Sequence, residues 1–245
     1  MLTTLPNVLI CIPTYNESEN IIEILQRLEK AMTALSDSYR WQILVIDDNS
    51  PDGTAELVAK SNFSNVQILR REKKAGLGPA YLAGFSWGVE RNFDLFVECD
   101  ADGSHQPEEL VHLLRAASGS DLVIGTRWMP GGEVVNWPLS RRLISRIGTT
   151  YAQIVLRLPY KDLTGGYRVL TNNCLKKVDY LKVESLGYGF QIEMAMRAHD
   201  AGLSIAQVPI TFIERTQGQS KMSKKIVLEA LLQTTKWGLQ RLSGS

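Results

Sequence analysis

Short runs of β-branched and large apolar residues alternate along the first half of the chain with segments whose apolar positions recur every three or four residues. The runs at 8–12, 41–47, 66–69, 94–99 and 121–125 read as strands. Between the first two, Ile21, Ile22, Leu25, Leu28, Met32 and Leu35 fall at helical spacing, with Ser18 as the expected N-cap. Further helices fit 54–60, 79–89 and 107–117. Strands and helices that alternate in this way predict a mainly parallel sheet, because parallel neighbours need crossover helices, and these cover both faces. In such sheets ligands gather beyond the carboxyl ends of the strands.

After Gly125 the pattern changes. A loop rich in Gly, Pro and Trp (128–138) leads to an amphipathic helix on which Leu143, Ile144, Ile147, Tyr151, Ile154 and Leu158 are expected to face inward. Two more helical stretches, a strand near 205–213 and a basic loop at 215–225 come next. The chain closes with a helix at about 223–242. There Leu228, Leu231, Leu232, Leu239 and Leu242 form one stripe, while Ile226, Ala230 and Trp237 lie on roughly the opposite side. The leucine stripe is expected to pack on the domain, leaving Trp237, flanked by Lys236 and Arg241, to touch a bilayer interface. The rival arrangement buries both stripes or pairs one with a second copy.

Composition narrows the class. With 245 residues, 44% of them apolar, the chain can bury one large α/β core and is not disordered. Cys11, Cys99 and Cys174 lack metal-ligand spacing and read as reduced residues of a cytosolic protein. The first apolar run is too short for a signal peptide, and no run reaches the roughly 18 residues of a membrane span. The net charge of +1 conceals an asymmetry: residues 1–122 hold 10 Lys and Arg against 18 Asp and Glu, and residues 123–245 hold 17 against 8. That partition is either scattered solvated charge or an acidic, metal-binding half followed by a basic half that meets phosphates or an anionic membrane.

Three polar signatures coincide with predicted strand ends: Pro13-Thr14-Tyr15-Asn16-Glu17, Asp47-Asp48-Asn49-Ser50-Pro51-Asp52-Gly53 and Asp100-Ala101-Asp102. Asp100 and Asp102 can turn toward one hard cation if the backbone bends, and Gly103 makes the bend cheap. Their oxygens, with those of a diphosphate, suit Mg²⁺ or Mn²⁺. Asp48 is the better candidate for a ribose or base edge, and Asp47 for holding the turn. Arg127 ends the fifth strand, and Arg141 and Ser145 share one helix face at i and i+4. These three make either a phosphate clamp or a solvated arginine face. Gly76-Leu77-Gly78 is not a dinucleotide fingerprint, because Tyr81 stands where the third glycine belongs. Lys221-Met222-Ser223-Lys224-Lys225 resembles an ATP-binding KMSKS signature, but the motif that accompanies it is missing. Its lysines read as phosphate or membrane contacts.

The segments PTYNESEN (13–20), VIDDNSPDGT (45–54), DADGSHQP (100–107), GTRW (125–128), SRRLISR (140–146), DLTGGYR (162–168) and ER…GQSKM (214–222), in that order, resemble family 2 glycosyltransferases. Within them they resemble the dolichol-phosphate (polyprenol-phosphate) mannosyltransferases. The resemblance covers nearly the whole chain. It implies a GT-A fold with a nucleotide-sugar half at 1–126, an acceptor-side half at 127–222 and an amphipathic helix at 223–245. By position it places Pro13, Tyr15, Glu17, Ile46 and Asp48 on the nucleotide, Asp100, Ala101 and Asp102 on metal and diphosphate, and Arg127, Arg141 and Ser145 on the acceptor phosphate. Arg215 and Lys221 fall on a loop that closes over the donor. Asp102, Arg127, Arg215 and Lys221 are then the catalytic set. Many members carry a glutamine two residues after the second aspartate; here that residue is Ser104, with Gln106 beyond it. Many also carry C-terminal transmembrane helices, which this sequence lacks.

The reaction this resemblance implies is inverting transfer of mannose from GDP-mannose to a polyprenyl (dolichyl) phosphate, on the cytosolic face of a membrane. A membrane-anchoring protein subunit is admitted as a partner, and no nucleic acid is expected. The rivals are a UDP-glucose-dependent polyprenyl-phosphate glucosyltransferase, a family 2 enzyme that glycosylates a soluble sugar, and a nucleotide-sugar-binding protein without turnover.

Overall fold

The computed structural model describes residues 5–185, 187–215 and 224–243, with the side chains of Tyr188 and residues 224–227 left out. Seven strands form one sheet: β1 (Asn7–Thr14), β2 (Arg40–Asp47), β3 (Val66–Arg70), β4 (Leu95–Glu98), β5 (Leu122–Thr126), β7 (Arg168–Thr171) and β8 (Ile205–Pro209). Their order is β3-β2-β1-β4-β7-β5-β8. All neighbours are parallel except β7, which runs antiparallel between β4 and β5. The expected strand near 205–213 is two: β8 ends at Pro209, and β9 (Thr211–Ile213) leaves to pair in parallel with β6 (Glu133–Val135). β6 and β7 are not legible in sequence, being three and four residues long.

Helices α1 (Ile21–Thr33), α2 (Thr54–Lys60), α3 (Leu77–Glu90), α4 (Leu110–Ala117), α5 (Leu139–Leu156), α6 (Asn172–Val178), α7 (Tyr188–Asp200) and α8 (Lys224–Leu242) cover both sheet faces. The alternating strand residues therefore feed two cores. Val8, Ile10 and Ile12 join Ile24, Leu25 and Leu28 of α1 on one side. Leu9, Cys11 and Ile46 join Tyr81 and Phe85 of α3 and Phe190 of α7 on the other. Ser18 is not the cap of α1. The helix begins after Asn20, and the Ser18 amide instead donates to Asp52 Oδ2 at 3.0 Å.

The two late amphipathic helices reverse what their periodicity predicts. On α5 the buried residues are Thr149, Ala152 and Leu156, whereas Leu143, Ile144, Ile147 and Ile154 are 53–71% exposed. On α8, Trp237 is buried at 8% while Leu228, Leu232, Leu239 and Leu242 stand 57–69% exposed. Only Leu158, beyond the end of α5, points inward as expected. The physical reason is close contact between the helices. A Cβ at Gly238 would lie 2.3 Å from Val155 Cγ1, Tyr151 and Thr235 share a 2.6 Å hydroxyl contact, and Arg241 donates to the Leu156 carbonyl at 2.6 Å. α8 thus turns Thr234, Trp237 and Gly238 inward, and its leucines have nowhere to go but out.

Candidate active site

A cavity of about 570 Å³ opens beyond the carboxyl ends of β1, β2 and β4. Pro13, Tyr15, Glu17, Asp48, Asp100, Ala101 and Asp102 line it from the sheet side, and Arg127, Arg141, Ser145 and Arg215 from the other. One wall is acidic and the opposite wall basic. Ile46 is the exception among the expected residues. Its side chain is fully buried in the core and lies where a Cβ at Gly84 would meet Cδ1 at 2.5 Å, so it shapes α3 packing and does not line the cavity. Lys221 lies outside the described residues.

The Asp-Ala-Asp segment bends as its sequence requires. Gly103 takes a φ of +76°, which a residue with a Cβ adopts at a cost. Asp102 Oδ1 accepts from the Ser104 amide at 3.1 Å and from the Ser104 hydroxyl, and Oδ2 pairs with Arg215 Nη2 at 3.0 Å. Burial opposes its ionisation, yet Arg215 and the Ser104 hydrogen bonds hold it below the usual carboxylate range. The Asp100 amide donates to His105 Nδ1 at 3.1 Å. That imidazole is fully buried, stacks on Tyr167 with centroids 4.8 Å apart, and is pushed down to about 4, chiefly by desolvation. It is therefore neutral near pH 7, with its proton on Nε2.

The donor set fits a divalent cation shared with substrate. Two carboxylates at one bend supply hard oxygens, and among the described residues no group of three His, Cys, Asp or Glu side chains could hold an ion alone. The glutamine and serine further along supply no third ligand here. The Ser104 hydroxyl is turned onto Asp102. Gln106 donates to the carbonyls of Gly103 and Ser104, and accepts from Arg27 at 2.8 Å.

At the end of β2 the two aspartates divide. Asp47 is buried and accepts from Thr14 Oγ1 (3.0 Å), the Ser50 amide (2.9 Å) and the Ser50 hydroxyl (2.6 Å), which is a turn-holding role. Asp48 reaches the cavity, bound by Arg71 at 2.7 Å and by the Ala75 amide at 3.2 Å. Tyr15 carries the Lys74 ammonium 4.0 Å above its ring, and both line the cavity. In the sequence Lys74 belongs to a run of basic residues, and no local signal sends it across onto Tyr15.

On the basic wall, Arg127 is fixed rather than free. Asp162, fully buried, takes its Nε and Nη2 at 2.7 and 2.8 Å, and Thr164 Oγ1 takes Nη2 at 3.0 Å. Burial opposes ionisation of Asp162, but Arg127 keeps it below the ordinary carboxylate range. Arg141 lies 4.3 Å from the Trp137 ring centroid and is paired by Glu214. Ser145 stands one helical turn further on. Asp162 falls inside the motif at 162–168, which by itself gives it no role. Glu214 opens the segment at 214–222, which gives it no role either, because the spacing of β9 from α5 is not visible in sequence. Beneath the cavity floor, Glu98 is fully buried and accepts from Gln191 at 2.6 Å. Burial pushes it up to about 7, against the opposing pull of Arg168 and Gln191.

Residues 9–178 match the family model described as glycosyl transferase family 2. The chain belongs to that family. It is 50% identical over 234 residues to the undecaprenyl-phosphate mannosyltransferase of Micrococcus luteus, covering 95% of this chain and 94% of that one. It is 46% identical over 236 residues to the polyprenol monophosphomannose synthase of Mycolicibacterium smegmatis, covering 95% and 87%. Among solved structures, glucosyl-3-phosphoglycerate synthase from Mycobacterium tuberculosis in complex with Mn²⁺, uridine diphosphate and phosphoglyceric acid superposes with a TM-score of 0.67 at 17% identity, over 97% of this chain and 78% of that one. The architecture is thus the GT-A fold, a mainly parallel sheet with helices on both faces. Among the described residues no helix is long and apolar enough to cross a membrane.

Proposed function

We propose that this protein transfers mannose, with inversion, from GDP-mannose to a polyprenyl monophosphate at a membrane surface. The observation that carries the reading is one cavity whose acidic wall (Asp48, Asp100, Asp102) faces a basic wall (Arg127, Arg141) and which reaches the apolar helices α5 and α8 through Ile144 and Leu231. The two relatives named for undecaprenyl and polyprenol phosphate support the acceptor class and the sugar.

The chemistry suits a phosphate nucleophile. A phosphate monoester has a second pKa of about 6, so at neutral pH it is already largely the dianion and needs no general base. Arg127, held in place by Asp162, and Arg141 with Ser145 would orient its oxygens for in-line attack on the anomeric carbon. Tyr15 and Asp48 would hold the nucleoside, and Arg215 would move onto the leaving diphosphate. Mg²⁺ or Mn²⁺, held by Asp100 and Asp102, would supply neutralisation of the growing diphosphate charge. His105 stays neutral and serves to position Asp100.

The exposed apolar faces of α5 and α8 are the surface that would meet lipid on the cytosolic side, with the polyprenyl chain leaving the cavity between them. The test is transfer of radiolabelled sugar to polyprenyl phosphate from GDP-mannose and from UDP-glucose, with and without divalent metal. Metal-dependent mannosyl transfer is expected, and Asp102→Asn should lower it about 100-fold or more. Preference for UDP-glucose would replace the sugar assignment, and transfer from neither donor would return the chain to a binding role.

A further inference from the structure

Glu214 and Arg215 are adjacent, immediately after β9, yet each is engaged with a different wall of the cavity. The Glu214 carboxylate places both oxygens on Arg141 Nη1. The Arg215 guanidinium lies 3.0 Å from Asp102 Oδ2. Consecutive side chains of an extended segment point opposite ways, which lets two neighbours reach opposite partners. The backbone beneath them is held: the Ile213 amide donates to the Ser104 carbonyl at 3.1 Å, and the Glu214 amide to the Val135 carbonyl at 3.0 Å. The side chains can therefore re-aim while β9 stays in place. Neither pair is an open surface contact, since side-chain exposure is 18% and 23% for Arg141 and Glu214, and 18% and 9% for Arg215 and Asp102.

The charges match those of the ligands each subsite would take. A carboxylate offers a guanidinium the same two-oxygen face that a phosphate does. A guanidinium on Asp102 supplies the positive charge that a divalent cation would bring. We infer that the Glu214-Arg215 dipeptide is an internal stand-in for both substrates, neutralising Arg141 and Asp102 until acceptor phosphate displaces Glu214 and the cation displaces Arg215. This rests on the reading of Arg141 as a phosphate site and Asp102 as an ion site. Because each stand-in competes with its ligand, deleting it raises that ligand's affinity. Displacement of Arg215 also releases it toward the diphosphate.

The test uses the full chain and two probes that need no turnover. Inorganic phosphate binding is measured by calorimetry for wild type, Glu214→Gln and Arg141→Met, and Mn²⁺ binding without donor is followed by the free-ion EPR signal for wild type and Arg215→Gln. Glu214→Gln is expected to bind phosphate roughly 5-fold or more tightly, and Arg215→Gln to bind Mn²⁺ more tightly by a similar factor. Thermal melting checks folding. Glu214→Asp, one methylene shorter, is expected to shift phosphate binding the same way and replaces the glutamine variant if that does not fold. Unchanged or weaker phosphate binding in the Glu214 variants would mean that Glu214 holds Arg141 ready for its ligand, and would overturn the stand-in role. Unchanged or weaker Mn²⁺ binding in Arg215→Gln overturns it equally. If Arg141→Met binds phosphate as wild type does, the phosphate-site reading itself fails.

Discussion

Helices α1 and α5 carry the same kind of apolar stripe and meet opposite fates. On α1, Ile21, Ile24, Leu25, Leu28 and Met32 are at most 2% exposed, sealed against β1 and its neighbours. On α5, Leu143, Ile144, Ile147 and Ile154 are more than half exposed. Periodicity establishes that a helix has an apolar face; it does not say what covers that face. α1 is the crossover between two adjacent parallel strands, so its stripe has the sheet beneath it by construction. α5 comes after a long loop and is covered by α8, which meets it at Tyr151, Val155 and the Leu156 carbonyl. An apolar face left open on both α5 and α8, beside a cavity that Ile144 and Leu231 also line, is the contrast that separates the second half of the chain from the first.

The contrast can be tested from its strongest consequence downward. Trp237, expected from sequence at the bilayer, is buried in the core. Trp237→Ser should therefore cost about 3–5 kcal/mol in urea denaturation and leave liposome binding of the folded protein intact. Lost liposome binding at full stability would restore the interfacial role. Leu28→Ala on α1 should cost about 2–5 kcal/mol, whereas Ile147→Ala on α5 should stay within about 0.5 kcal/mol. Equal costs would mean that the α5 face is covered. A Leu143→Ser, Leu232→Ser double variant should keep its melting temperature while sedimenting several-fold less with anionic vesicles, and undiminished sedimentation would remove these faces from the lipid contact.

The smallest effect is a slope. Glu98, pushed up to about 7, binds a proton in the folded chain that an unfolded glutamate has released above about 4.3. Its contribution is full below that ordinary value and is lost as pH rises through 7, so it makes stability fall with pH. Neutral His105, pushed down to about 4, works in the opposite direction at lower pH, and it cancels when variant and wild type are subtracted. The stability difference between Glu98→Gln and wild type should therefore grow from pH 5 to pH 8, in favour of the variant. Arg168 keeps its hydrogen bonds in the variant, because each of its three nitrogens donates to a carbonyl, those of Gly165, Gln191 and Leu163. A flat difference would show that Glu98 titrates as an ordinary glutamate.

Much of the first half was legible in the residues. The α2 boundaries at Thr54 and Lys60, the end of β2 at Asp47 and the turn-holding place of Asp47 all rest on local signals: β-branched runs, turn residues, and a glycine where φ is positive. By contrast, β1 runs to Thr14, two residues past its expected end, and β4 stops at Glu98, one short of it. The local signals act within a few residues, so one sequence carries them. The misplaced Ser18 cap shows the limit, since Asp52 from the next βα turn claimed its amide. Ile46 shows it again, because whether the last strand residues face core or cavity depends on how closely α3 approaches.

By itself, then, the sequence determined the order of strands and helices as far as β5, the acidic strand ends and the presence of two apolar helix stripes in the second half. Which stripe faces solvent, how Asp162 fixes Arg127, and how Glu214 and Arg215 reach opposite walls were decided only by tertiary structure. These contacts join residues 35 to 113 positions apart. Their partners are chosen by the packing of elements against one another, and no local pattern of side chains encodes that choice.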